Sequence, residues 1–336
     1  MTCPTTHHRR SLWLRVTFFD FVLCLVANAR AAETAPLRAG MIGLDTSHVP
    51  SFVKFFNNPK ATGDVAGVIK VVAGYPGGTD LPSSRDRVKG FTEQLRGMGV
   101  EIVDSIPKLL EKVDVVLLES VDGRIHLQEA IPVIKAGKPL FIDKPVAGSL
   151  RDAVEIYKLA REAKVPVFTS SSYRYYESLV TVQKANVGDI RAVISWGPAH
   201  LEPHHPDLFW YGIHPTEALF TILGPGCESV SRTTTDDVDV ITGLWSGGRV
   251  GTLHALKHGG AHKVVVFGSK GIAEQKGSGD YAPLVREIMK FFQSGVVPVS
   301  PEESLAIYTF MEAADESKRR GGATVNMGEV LKKNGG

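Results

Sequence analysis

Residues 37–56, LRAGMIGLDTSHVPSFVKFF, pass from a short apolar run through a polar turn into a stretch with Val49, Phe52, Val53 and Phe56 at helical spacing. A strand that turns at once into a helix opens a βαβ unit, where backbone N–H groups at the helix N-terminus can meet a phosphate. The turn Gly43-Leu44-Asp45-Thr46-Ser47-His48 keeps only the first glycine of the dinucleotide fingerprint G-x-G-x-x-G, because Asp45 and His48 stand where the second and third belong. A side chain at position 45 obstructs the close approach of a diphosphate and adds negative charge to it. Two readings stand side by side. Ser47 and His48 donate to a phosphate or sugar, or Asp45 and Ser47 simply cap the helix.

The same alternation continues outward. Val65 to Ala73 is short and β-branched, the pattern of a second strand. No acid stands at its end for an adenosine ribose, and the first carboxylate after it is Asp80. Ser83, Ser84, Arg85 and Arg87 follow, either as a binding loop for a 2′-phosphate or other anion or as solvated charge. Val113 to Ser120 (VDVVLLES) has the composition of a buried strand, Ile125 to Ala136 that of a helix stopping at Gly137, and Pro139 to Ile142 that of the next strand. Strands alternating with helices predict a doubly wound parallel sheet with right-handed crossovers. After a helix near Arg151 to Ala163 and a strand Val165 to Ser170, the pattern changes to longer, polar-punctuated strands: Ala192 to Trp196, Asp239 to Trp245, Val250 to Leu256 and Lys263 to Phe267. A last helix, Ser300 to Arg319, packs back.

Just past the Pro139 to Ile142 strand comes Asp143-Lys144-Pro145-Val146-Ala147, at the sheet edge where such folds bind ligands. With Ala136-Gly137-Lys138-Pro139 before it, this run resembles the A-G-K-x-V-x-x-E-K-P-x-A signature of the Gfo/Idh/MocA family, named for glucose–fructose oxidoreductase and inositol dehydrogenase. The likeness reaches back to Val115-Val116-Leu117 and His126, and forward through Tyr173-Arg174, Gly212-Ile213-His214 and the helix from Glu312 to Arg320. It implies an α/β protein: a Rossmann domain over 36–150, then an α/β domain over 151–330 whose open antiparallel sheet covers the nicotinamide. NAD or NADP is the implied cofactor. Gly43, Leu44, Ser47, His48, Ser120, His126, Asp143 and Lys144 are its implied contacts, and Arg174, His204, Tyr211 and His214 those of the substrate. A homo-oligomer is implied as well.

The implied chemistry is reversible oxidation of a sugar or polyol hydroxyl, in which hydride leaves carbon for the nicotinamide and the hydroxyl proton goes to a base in hydrogen-bond reach. By likeness Lys144 is that base or its electrostatic partner, and His214 is the second catalytic candidate. The family carries an acid four residues before this histidine, D-x-G-x-H, whereas Trp210 stands here. Glu217 or Asp207 is a possible replacement, or the proton passes between Lys144 and His214 alone.

Two further clusters carry polar chemistry. His200, Glu202, His204, His205 and Asp207 precede Phe209-Trp210-Tyr211, a mix of donors and aromatic faces that suits a sugar and equally describes a solvated loop. His254, His258 and His262 recur every four residues, but their surroundings have the pattern of strand and turn, so they do not share a face and no metal is expected.

Composition narrows the class. With 336 residues, 43% apolar and 22% charged, the chain has material for two domains and is neither disordered nor collagen-like. Arg9-Arg10, the apolar stretch Leu12 to Val26 and the small-residue ending Ala27 to Ala32 have the order of an export signal over 1–31, in a form resembling twin-arginine leaders. Arg15 and Asp20 interrupt it, which argues against a lasting membrane span. The expected location is the bacterial periplasm, or the cytoplasm if the leader is inactive. Removing four bases and one acid with that leader turns 38 bases and 36 acids into 34 and 35, a net of −1, so no nucleic-acid partner is implied. Of three cysteines only Cys227 lies beyond the leader, and its neighbours Gly226 and Glu228 give a packed rather than nucleophilic thiol.

Three functions fit these residues: an NAD(P)-dependent carbohydrate oxidoreductase, a glycoside hydrolase that oxidises its substrate transiently with tightly held NAD, and a sugar-binding relative without turnover. The first is the leading expectation.

Overall fold

The computed structural model describes residues 1–2, 35–61 and 67–336. The expected leader, apart from Met1 and Thr2, and the start of the second strand at 62–66 lie outside the described residues. Strands β1 (Leu37–Ile42), β2 (Ile69–Tyr75), β3 (Glu101–Ile102), β4 (Val115–Leu118), β5 (Leu140–Ile142) and β6 (Val167–Thr169) form a parallel sheet in the order β3-β2-β1-β4-β5-β6. The order reverses between β1 and β4, and at such a switch point the carboxyl ends of the strands open a crevice for ligands.

The helices that position the site are α1 (His48–Phe56), α2 (His126–Lys135), α3 (Leu150–Ala163), α4 (Ile213–Leu223), α5 (Ala282–Ser294) and α6 (Pro301–Arg319). Alternate side chains of the central strands serve opposite faces, as the two-residue period of a strand requires. Met41, Val115, Leu117 and Phe141 join Val49 and Phe52 of α1 and Leu284, Ile288 and Phe291 of α5. Ile42, Val116, Leu118 and Leu140 join Ala130 and Val133 of α2 and Ala153 and Ile156 of α3. Both faces are therefore covered, which is why these strands are uniformly apolar in sequence.

The expected domain limit at 150 does not hold for the sheet. A parallel neighbour needs a crossover, so α3 carries the chain on to β6, and α5 later returns to cover the first face.

The second sheet has seven strands, in the order β12-β11-β7-β10-β9-β8-β13. They are β7 (Ile190–Pro198), β8 (Cys227–Thr234), β9 (Val238–Trp245), β10 (Arg249–Leu256), β11 (Lys263–Gly268), β12 (Ile272–Glu274) and β13 (Val325–Asn326). It is mixed rather than antiparallel throughout, because β7 and β10 run parallel. The long excursion through α4, β8 and β9 lets the chain re-enter the sheet in the same direction. One face packs on α4 and α6 through Phe220, Trp245 and Phe310, whose ring centres are 5.3 to 5.9 Å apart. Cys227 is half-buried, and burial pushes its thiol up to about 12, as expected of a packed cysteine. Among the described residues no helix is long and apolar enough to cross a membrane.

Candidate active site

The turn after β1 is built from its neighbours. Gly43 takes a left-handed φ of +81°, and a Cβ there would fall 2.3 Å from the backbone nitrogen of Ser120, so only glycine fits. Beyond it the ladder to β2 continues, with Gly43 N–H donating to Tyr75 O at 3.0 Å and Leu44 N–H to Pro76 O at 2.8 Å. Asp45 turns inward and is fully buried. Its carboxylate accepts Val121 N–H at 2.8 Å and the Ser84 hydroxyl. Neither Asp45 nor Ser47 caps α1 with its side chain, so the capping reading of these two is overturned; the Thr46 hydroxyl instead accepts the His48 N–H at 3.5 Å. Ser47 is exposed at the N-terminus of α1, with the Asp45 carboxylate aimed away from it.

Lys144 follows β5 and projects towards an aromatic wall. Its ammonium lies 6.0 Å from the centre of the Trp210 ring and 5.4 Å from that of Tyr211, within the range of cation–π attraction. Tyr211 in turn meets the His214 ring edge-on at 5.7 Å. His214 sits in the first turn of α4 with Nδ1 2.6 Å from Ser171 Oγ. That oxygen already accepts Tyr173 N–H, which leaves its own proton for the imidazole. Burial, reinforced by Lys144, His262 and His48, holds His214 well below the usual histidine range, so the ring is neutral at neutral pH. Burial likewise lowers His262 to about 4.

The acid missing at position 210 has an indirect counterpart. Glu217 accepts the Ser171 N–H at 2.7 Å and the Ser170 hydroxyl, and pairs with Arg174 at 2.6 Å, so it fixes the serine that holds His214. Asp207 does not replace the acid. It pairs with Arg232 and Lys318, away from the histidine.

Lys144, Trp210, Tyr211 and His214 border a cavity of about 350 Å³ that also takes in Thr46, Ser47, His48, Ser83, Arg87, Val121, Tyr173, Tyr176, His262 and Tyr281. Its size suits a small-molecule site. A larger hollow of about 540 Å³ between α3 and the C-terminus is mostly apolar and lies away from this chemistry. Within the lining of the first cavity, Ser47 at the N-terminus of α1 and Arg87 favour an anion. The same lining holds Lys144, His214 and the aromatic rings. With Asp45 turned into the protein, the residues present fit the anionic middle and the planar end of a dinucleotide.

Of the sequence candidates, Ser47, His48, Lys144, Tyr211 and His214 border the cavity. Gly43, Leu44, Ser120, His126 and Asp143 are buried and do not line the cavity. Ser120 donates to Glu129 at 2.7 Å, and both nitrogens of His126 face carbonyls, those of Ser120 and Val146. Asp143 Oδ2 lies 2.6 Å from His48 Nδ1, where burial works to raise the acid but His48 and Lys144 outweigh it and hold its pKa below the ordinary value. Arg174 lies outside the cavity lining and pairs with Glu217 and Glu303 at 2.6 Å each. His204 faces Glu202 outside the cavity, and His205 is buried against Gly123 N–H and Trp210. His254, His258 and His262 do not converge: His258 is exposed beside Asp237 while His262 lines the cavity.

Tyr281, Tyr176 and Ser171 gave no local signal in sequence, because each is brought in by tertiary packing.

The Gfo/Idh/MocA family model, described as an oxidoreductase family with an NAD-binding Rossmann fold, matches residues 83–171. The matched span includes Lys144 and begins after the β1–α1 turn. Among solved structures, the chain is similar to an oxidoreductase from Thermotoga maritima at 18% identity, over 88% of this chain and 99% of that one, with a TM-score of 0.71. It is similar to myo-inositol dehydrogenase from Lactobacillus casei in complex with NAD(H) and myo-inositol, at 16% identity over 87% and 96%, TM-score 0.68. It is also similar to an oxidoreductase from Agrobacterium radiobacter in complex with NAD+, L-tartaric acid and magnesium, at 16% identity over 88% and 100%, TM-score 0.69. At these identities the structures share the fold. No curated protein matches the chain.

Proposed function

We propose that this chain, an NAD(P)-dependent oxidoreductase of the Gfo/Idh/MocA kind, reversibly oxidises a hydroxyl of a sugar, polyol or related carbohydrate. The observation that carries the reading is Tyr211 standing between the Lys144 ammonium and the His214 ring, 5.4 Å from one and 5.7 Å from the other, in one cavity at the switch point of the sheet. A bound nicotinamide supplies the acceptor for a hydride. Ser47, Ser83 and Arg87 would hold the diphosphate side, and Lys144 and Tyr211 would border the ring.

The remaining work falls to side chains. Lys144 Nζ receives the hydroxyl proton, a task suited to an amine that can release and take protons where a guanidinium cannot. His214, neutral and steadied by Ser171, orients the hydroxyl through its imidazole. Trp210, Tyr211 and Tyr281 offer flat apolar surface to a carbohydrate ring and exclude water. Support for a polyol comes from these aromatic faces beside polar donors, and from the myo-inositol held by one structural relative. The leader at 1–31 is carried along as a proposed export signal.

Incubating the purified chain with NAD or NADP and a panel of sugars and polyols tests the reading through the absorbance of reduced nicotinamide. Net reduction with at least one polyol is expected. Cleavage of a glycoside without net reduction would overturn it in favour of the hydrolytic cycle, and binding without any turnover would leave a sugar-binding protein.

A further inference from the structure

Three neighbouring strands at the centre of the parallel sheet each deliver one metal-ligating side chain at their carboxyl ends. His48 opens α1 after β1, Glu119 follows β4 and Asp143 follows β5. One ligand atom from each lies within 4.8 Å of the others. The backbones are fixed by the sheet itself, since Glu119 N–H donates to Ile42 O at 2.7 Å and Asp143 N–H to Leu118 O at 2.8 Å. All three residues are buried, and the two carboxylates more than nine-tenths so: Glu119 is 0% exposed and Asp143 3%, while the His48 side chain keeps 11% of its surface open.

What marks this cluster is its missing donors. Among the described residues, no hydrogen bond reaches Glu119 Oε1, Glu119 Oε2 or Asp143 Oδ1. Only Asp143 Oδ2 is satisfied, by His48 Nδ1 at 2.6 Å. The ammonium of neighbouring Lys144 lies over the rings of Trp210 and Tyr211 and acts on the two carboxylates only through its field, without a hydrogen bond to either. Buried carboxylates are costly unless they are paired or coordinate a metal. Two of them side by side, with one imidazole, lack a positive charge at their centre.

We propose that His48, Glu119 and Asp143 bind one divalent cation of the zinc or manganese class. The mixed nitrogen and oxygen donors suit such ions, and two carboxylates cancel a charge of +2. Three protein ligands leave a position open. Because His48 borders the cavity, that position faces it, where a hydroxyl or carboxylate oxygen of the bound molecule completes the shell. The site does not depend on hydride transfer, since none of the three residues is assigned a step in it.

The test uses the full chain, stripped with a chelator and titrated with Zn²⁺ alone or Mn²⁺ alone by calorimetry, with thermal unfolding and elemental analysis alongside. About one cation per chain is expected, with a rise in Tm on binding. Glu119→Gln and Asp143→Asn should each weaken binding by at least about tenfold, whereas His258→Ala, at an exposed histidine, and Cys227→Ser should not. Uptake of neither ion, or uptake that survives Glu119→Gln and Asp143→Asn in folded protein, overturns the proposal. NADH binding by the same stripped protein, followed by fluorescence, is read separately, so loss of the cation site and loss of the dinucleotide are told apart.

Discussion

The ammonium of Lys144 lies 5.4 Å from the centre of the Tyr211 ring, with the Trp210 ring at 6.0 Å. The lysine is thus held against two aromatic faces. Attraction of this kind contributes roughly 0.5–2 kcal/mol, depending on how dry the contact is.

The first prediction concerns that contact. Tyr211→Leu should lower kcat/KM by about fivefold, corresponding to roughly 1 kcal/mol of lost attraction. Tyr211→Phe should retain most activity. Steady-state kinetics on the substrate found in the panel checks both, and equal losses in the two variants would assign the effect to the hydroxyl instead.

Ser171 is a positioning residue, acting through its contact with His214 Nδ1 at 2.6 Å. Ser171→Ala should lower kcat by about tenfold or more while KM changes little, because orientation matters most in the transition state. Ser171→Thr, which restores the hydroxyl, should recover part of the loss. A purely structural role would instead lower Tm without this split between kcat and KM.

Asp45 yields a stability prediction opposite to the one its position in the fingerprint suggests. Asp45→Gly restores the second glycine of the motif but strands the buried Val121 N–H and Ser84 hydroxyl. Chemical denaturation should show a loss on the order of 2 kcal/mol, and Asp45→Asn a smaller one.

Glu129 sets part of the pH dependence of stability. Burial raises its carboxyl from an ordinary 4.5 to about 7, although the Ser120 hydroxyl works against the shift. Between those values the folded chain keeps a proton that the unfolded chain has lost, so stability falls as pH rises through the window. His262, lowered by burial to about 4, acts in reverse and withdraws stability as pH falls below about 6.5. Glu129→Gln should therefore gain on the order of 2 to 3 kcal/mol over the parent at pH values above about 7 and little at or below about 4.5. Urea unfolding across this range measures the difference.

The alternation of strand and helix was legible because apolar runs, glycine stops and proline punctuation are local features. β1, β4, β5 and α2 accordingly fall within a few residues of where the pattern puts them. β3 and β13, with two residues each, are too short to leave a period and exist only by pairing with longer strands. Lys144 and His214, singled out by their motifs, come together on one cavity. The pairing of Arg174 was not legible, because a sequence shows the cation but not Glu217 and Glu303, which come from 43 and 129 residues away to neutralise it. The inward turn of Asp45 depends equally on Ser84 and Val121, distant partners that no local pattern reveals.

The most direct test of the account is turnover by Lys144→Met compared with the parent protein, both shown by circular dichroism to be folded and by fluorescence titration to bind the same nicotinamide dinucleotide. The account predicts that the variant keeps its fold and its cofactor but loses at least about a hundredfold in kcat, the lower range for removing a general base. Unimpaired turnover in a folded, cofactor-loaded Lys144→Met would contradict it.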